Sequence, residues 1–262
     1  MVITLWRIAL LAVLSTPALA VMHKEPVEYA DGDVALRGYV YWDDAFTGKR
    51  PGVMVVHEWW GLNDYAKLRA EMLAESGYVA FAADMYGDGR ITRHAEDAKG
   101  WMQQITANTE DWQRRALLGL EQLQARPQVD GSKLAAVGYC FGGATVMQLA
   151  YAGADLKGVA SFHGSLPPAT AGQAGKIKGR VLIAHGDADP FVPPERVVAF
   201  KQGLSEANVD WEMDVYGGAK HGFTNPYADG YGMQGMAYQE AADRRSWLRL
   251  LAFLEDIFEP AF

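Results

Sequence analysis

Lys133 to Tyr139, KLAAVGY, is an apolar run of strand length, and it passes without a loop into FGGATVMQLAY, a helical pattern over Phe141 to Tyr151. A single residue, Cys140, is left to reverse the chain between them. A strand that becomes a helix across one residue must turn very sharply. The turning residue is then strained, and its neighbours must be small, as Gly138, Gly142 and Gly143 are. The geometry exposes the Cys140 side chain and aims a helix N-terminus at it, which favours a thiolate.

The same alternation recurs along the chain. Val34 to Trp42 alternates like an edge or antiparallel strand, whereas Val53 to His57 and Tyr78 to Ala83 are continuous apolar runs suited to strands covered on both faces. Strands are also predicted over Gly158 to Phe162, Val181 to His185 and Trp211 to Tyr216. Helical spacing covers Asp64 to Glu75, Asn108 to Leu123, Pro194 to Ala207 and Ala237 to Phe258. Asn108 can cap its helix, with Glu110 and Asp111 in the first turn. The implied fold class is α/β: a mostly parallel sheet with helices on both faces. Ligands in such sheets bind at the carboxyl ends of the strands. Chemistry is therefore expected just beyond His57, Tyr139, His185 and Tyr216.

The first twenty residues have a different grammar. MVITLWR carries one positive charge, IALLAVL is a short apolar run, and Ala18-Leu19-Ala20 ends the segment in a small-x-small pattern. This is the order of a secretory signal peptide, and the apolar run is shorter than the ~20 residues a membrane-spanning helix needs. Cleavage after Ala20 is expected, leaving residues 21–262 as one domain, periplasmic or secreted and without stable membrane association. The formal charge of −8 gives no attraction to nucleic acid, and a monomer is expected.

Export sharpens the meaning of Cys140, the only cysteine in the sequence. Exported proteins use cysteines mostly in pairs, and a lone one cannot close an internal disulfide. It is either a small buried hydrophobe or a nucleophile. Its place at the bend favours the nucleophile. A redox sensor would want a resolving cysteine, and there is none.

A thiol doing acyl chemistry needs a base and an orienting acid, which follow the nucleophile in this kind of sheet as acid and then histidine. His221, in the glycine-rich loop after the strand ending at Tyr216, is the candidate base. Asp189, in HGDADPFVP, is the candidate acid, with Asp187 its neighbouring competitor as a turn-forming aspartate. His163 and His185 lie at strand ends and read as packed histidines of the site floor. His57-Glu58 begins an HE pair, but Gly61 stands where a zinc-binding HExxH requires its second histidine. No metal is expected, and the absence of a nucleotide-binding glycine loop implies no nucleotide cofactor.

Four stretches, VVHEWWGLN, VGYCFGG, HGDADPFVP and AKHGFTNP, together resemble the dienelactone hydrolase family, the cysteine-using branch of the α/β-hydrolase fold. The resemblance runs from about residue 26 to the C-terminus. It implies Cys140 as nucleophile, Asp189 as acid and His221 as base. It further implies that Glu58 holds the resting thiol neutral until substrate arrives. The oxyanion hole would be the backbone N–H groups of Phe141 and Trp59, and Trp59 and Trp60 would border an acyl pocket. The resemblance breaks where the family grips a substrate carboxylate with two arginines. One of those places is occupied by Gly87 and Asp88, with Arg90 displaced along the loop; the other is Asn225. A neutral amide cannot replace a bidentate guanidinium. Arg90 or Arg93 would have to fold inward as a substitute, so dienelactone itself is not expected as substrate. The expectation is an ester or lactone hydrolase working through a Cys-His-Asp triad and a covalent acyl-enzyme. The alternatives are a general carboxylesterase or thioesterase of the same fold, or a non-catalytic exported binding protein.

Overall fold

In the central strands, side chains sort by parity onto two faces, and this sorting builds the molecule. The computed structural model describes residues 21–259, so the leader-like segment ending at Ala20 lies outside the described residues. Eight strands form one sheet: β1 (Met22–Asp31), β2 (Val34–Asp43), β3 (Arg50–Val56), β4 (Val79–Ala83), β5 (Val129–Tyr139), β6 (Gly158–Phe162), β7 (Arg180–Gly186) and β8 (Trp211–Tyr216). Their spatial order is β1-β2-β4-β3-β5-β6-β7-β8. β1 and β2 form an antiparallel hairpin, β2 meets β4 antiparallel, and the pairs from β4 through β8 are parallel.

Met54 and Val56 of β3 and Leu134 and Ala136 of β5 face one core; Val53, Val55, Ala135 and Val137 face the other. The first core is closed by α2 (Ala95–Thr106), α3 (Thr109–Gln124), α4 (Phe141–Tyr151) and α6 (Pro194–Glu206). The second is closed by α1 (Asp64–Glu75) and α7 (Glu240–Phe258). A four-residue helix, α5 (Ala171–Ala174), precedes β7. Each fully buried Val, Leu or Phe in these layers contributes ~1.5–3 kcal/mol relative to leaving it exposed.

Local chemistry sets the helix starts. Asn63 caps α1 by accepting from the Ala66 N–H, and Asn108 caps α3 by accepting from Glu110 (2.9 Å) and Asp111 (3.3 Å). Asn108→Ala is expected to cost ~1 kcal/mol of stability, read as a lowered denaturation midpoint with unchanged slope. The helix predicted from Ala237 begins only at Glu240. The intervening backbone is engaged elsewhere: the Ala237 N–H donates to the His221 carbonyl and that of Gln239 to the Phe223 carbonyl. β2 is an interior strand; the edge belongs to β1, which the sequence pattern did not announce.

Candidate active site

β5 and α4 meet at Cys140 with φ 54° and ψ −112°, a conformation that costs a residue with a side chain ~1–3 kcal/mol. The surrounding structure imposes it. The Cys140 N–H donates to the Phe162 carbonyl (3.0 Å) while the Gly143 N–H donates to the Cys140 carbonyl (3.0 Å). A Cβ on Gly138 would stand 1.9 Å from the Gly142 oxygen, and one on Gly142 would stand 2.2 Å from the Val56 oxygen. Only glycine lets the first turn of α4 lie this close to β3 and β5. The thiol is half-buried and faces a hollow of about 430 Å³.

His221 faces the same hollow from the loop after β8. Its backbone is pinned on both sides, donating to the Gly235 carbonyl (3.2 Å) and accepting from the Ala237 N–H (3.2 Å). Its Nδ1 lies 2.8 Å from Asp189 Oδ2. A carboxylate only accepts, so Nδ1 carries a proton and Nε2 is left for the thiol. Asp189 sits beyond β7 with its side chain buried, and its Oδ1 accepts from the Phe191 N–H at 2.9 Å. The competitor Asp187 is exposed. Burial alone would lower the His221 pKa, but charge and hydrogen-bond interactions with Cys140 and Asp189 together raise it well above the ordinary histidine value.

Beneath this group lies a buried polar layer. His163 packs edge-on to His221 with ring centroids 5.3 Å apart, and burial holds its pKa well below the ordinary value, so it stays neutral. Its Nε2 pairs with Thr224 Oγ1 (2.8 Å), which also meets the Tyr65 hydroxyl (2.5 Å). Arg69 donates to the Thr224 carbonyl and to Asp243, both at 2.5 Å. The loop carrying His221 is thus tied to α1 and α7 from below. His185, at the end of β7, is buried with its pKa lowered chiefly by desolvation.

His57 donates from Nδ1 to the Glu58 carbonyl (2.5 Å), and its Nε2 accepts from the Met85 N–H (3.2 Å). Both ring nitrogens are thereby committed, and the ring fixes the loop that presents Glu58 and Trp59. Glu58 is buried. Its Oε2 accepts from Asn225 Nδ2 at 2.6 Å, and its Oε1 has no partner among the described residues. Burial raises its pKa from 4.5 to about 7, against the opposing pull of Asn225, His221 and Arg69. Asn225, which stands where the resemblance implies an arginine for a substrate carboxylate, is itself fully buried and serves Glu58.

Neither substitute cation reaches the thiol. Arg90 pairs with Asp88 (3.0 Å) and borders a separate hollow beside Asp33, Asp111 and Arg115. Arg93 lies over the Tyr231 ring, 5.4 Å from its centroid, and borders another hollow with His94. Of the two tryptophans, Trp59 lines the hollow at Cys140, whereas Trp60 is fully buried and stacks on Tyr231 at 4.0 Å. The rest of the hollow was not foreseen from sequence: Met102 and Thr106 of α2, Trp112 of α3, and Phe191, Met233 and Met236 from loops.

The sequence profile of the dienelactone hydrolase family matches residues 36–258. The chain belongs to that family. Dienelactone hydrolase-like structures resemble it over nearly their whole length. A dienelactone hydrolase-like promiscuous phosphotriesterase from metagenomic libraries is 42% identical with a TM-score of 0.88, covering 91% of this chain and 99% of that one. A Yersinia pestis protein provisionally named a carboxymethylenebutenolidase is 27% identical over 82% of each chain. Dienelactone hydrolase of Anabaena variabilis, at 14% identity and a TM-score of 0.64, shares the fold over 91% of this chain and 99% of its own. The protein is therefore a hydrolase of dienelactone hydrolase type, built on the α/β-hydrolase fold.

Proposed function

We propose that the protein cleaves an ester or lactone through Cys140, His221 and Asp189. The Cys140 sulfur attacks the carbonyl carbon as its proton passes to His221 Nε2. The tetrahedral oxyanion is received by the N–H groups of Phe141 and Trp59. Phe141 opens α4, so its N–H is one of those a helix leaves unsatisfied, and neither N–H donates within the protein among the described residues. The C–O bond breaks, and the leaving oxygen takes the proton from His221. Water then adds to the thioester, giving a proton to His221; the C–S bond breaks and the thiol is restored. Asp189 holds the ring orientation and stabilises the imidazolium in both halves.

The observation that carries this reading is the 2.8 Å bond from His221 to a buried Asp189, behind a thiol at a strained bend that opens on a hollow. The test is intact-protein mass spectrometry during turnover of a chromogenic aryl ester. An adduct of the acyl mass is expected on the native protein and none on Cys140→Ala. Binding without turnover or adduct would favour a non-catalytic role. The panel also includes a neutral phosphotriester, because the 42% identical structure is that of a promiscuous phosphotriesterase. We place the protein outside the cytoplasm after cleavage behind Ala20, and the same spectrum reads that mass directly.

A further inference from the structure

Resting on the hydrolase reading above, we infer that the site selects uncharged acyl groups and discriminates against substrates that carry a carboxylate. The hollow at Cys140 is walled by Trp59, Met102, Trp112, Phe191, Met233 and Met236. Apart from Cys140 and His221, the polar side chains on its surface are those of Thr106 and Ser165. The Thr106 hydroxyl is already committed to the Met102 carbonyl at 2.9 Å. No lysine or arginine lines it among the described residues. Arg90 and Arg93 are engaged elsewhere, and Asn225 is turned to Glu58. Arg196 reaches the rim only, exposed and 3.5 Å from the Ser165 carbonyl.

A carboxylate entering such a space loses its water and finds no lysine or arginine to pair with, His221 being engaged by Cys140 and Asp189, so the buried charge goes uncompensated. The buried carboxyl groups of Asp189 and Glu58 lie behind the walls and add no attraction. A neutral alkyl or aryl group loses nothing comparable and gains by burial. The three methionines add a second property. Unbranched and polarisable, they repack around groups of different shape, so selection acts on charge more sharply than on size.

The experiment compares kcat/KM for paired p-nitrophenyl esters of equal chain length, the valerate and the carboxylate-bearing hemiglutarate. The valerate is expected to be favoured by ~10²-fold. Thr106→Arg, at the C-terminal residue of α2, places a guanidinium in the wall and is expected to narrow that ratio at least ~10-fold. Its rate on the valerate reports whether the variant folds. Arg196→Ala should leave the ratio where it was. A native ratio within ~3-fold, a preference for the hemiglutarate, or a ratio that rises in Arg196→Ala would overturn the inference while the hydrolase reading stands. A native protein inert toward both esters, with no acyl adduct, would sink the hydrolase reading and this inference with it.

Discussion

Cys140→Gly is expected to abolish ester turnover and to leave a protein more stable than Cys140→Ala. The loss of activity follows from removing the sulfur: with the nucleophile gone, kcat/KM should fall by ~10⁴-fold or more. The stability gain follows from the backbone. At φ 54° and ψ −112° a Cβ crowds its own peptide groups, and the strain amounts to ~1–3 kcal/mol. Glycine removes that cost but gives the unfolded chain more freedom, which takes back ~0.5–1 kcal/mol. The net difference between Cys140→Gly and Cys140→Ala should lie at ~0.5–2 kcal/mol in favour of glycine. Using alanine as the reference cancels the packing lost with the sulfur. Equilibrium denaturation of both variants measures the difference. Equal midpoints would show that the strain does not exceed the ~0.5–1 kcal/mol that glycine takes back, and ester turnover within ~10-fold of the native rate in either variant would remove Cys140 from the chemistry.

That bend was also the part of the molecule easiest to read in advance. The glycines at 138, 142 and 143 are a steric code, since each marks an approach that a methyl group could not survive. α1, α4, β6 and β8 begin and end where helical spacing and apolar runs placed them. β1 and α2 escaped notice for different reasons. β1 is an edge strand with only Val27 and Asp31 buried, too few for an alternation to show. α2 carries helical spacing at Ala98, Trp101, Met102 and Ile105, but its start has no capping side chain, since His94 makes no cap bond, and a glycine sits at its centre. The candidate acid, base and nucleophile were legible because loops at strand ends hold them in chain order. The hollow was not, because Met102, Trp112, Phe191 and Met236 converge from four unconnected segments. Asn225 shows the limit most sharply. Its departure from the family pattern was visible, but its partner Glu58 lies 167 residues away in the chain. Loss of a substrate-gripping arginine and support of a buried carboxyl are the same residue seen from two sides.

That buried carboxyl gives the second large effect, a stability that depends on pH through Glu58. Its pKa is about 7 in the folded protein and 4.5 when unperturbed, with burial the leading cause. Between those values the folded state holds a proton that the unfolded chain has released. The folded state binds more protons, so stability falls as pH rises through that window, by ~3 kcal/mol in total. Glu58→Gln carries no proton to lose in either state, and its amide oxygen can still accept from Asn225. The variant should match the native protein near pH 4.5 and exceed its stability by up to ~3 kcal/mol at pH 8, where both forms of Glu58 are ionised. Other titrating groups, His221 among them, are common to the two proteins and drop out of the difference to first order. Urea unfolding of both proteins at intervals from pH 4.5 to 8 traces the curve. A difference that stays flat across the series would mean that folding does not tighten this proton, and the burial of Glu58 beside Asn225 would then carry no electrostatic cost.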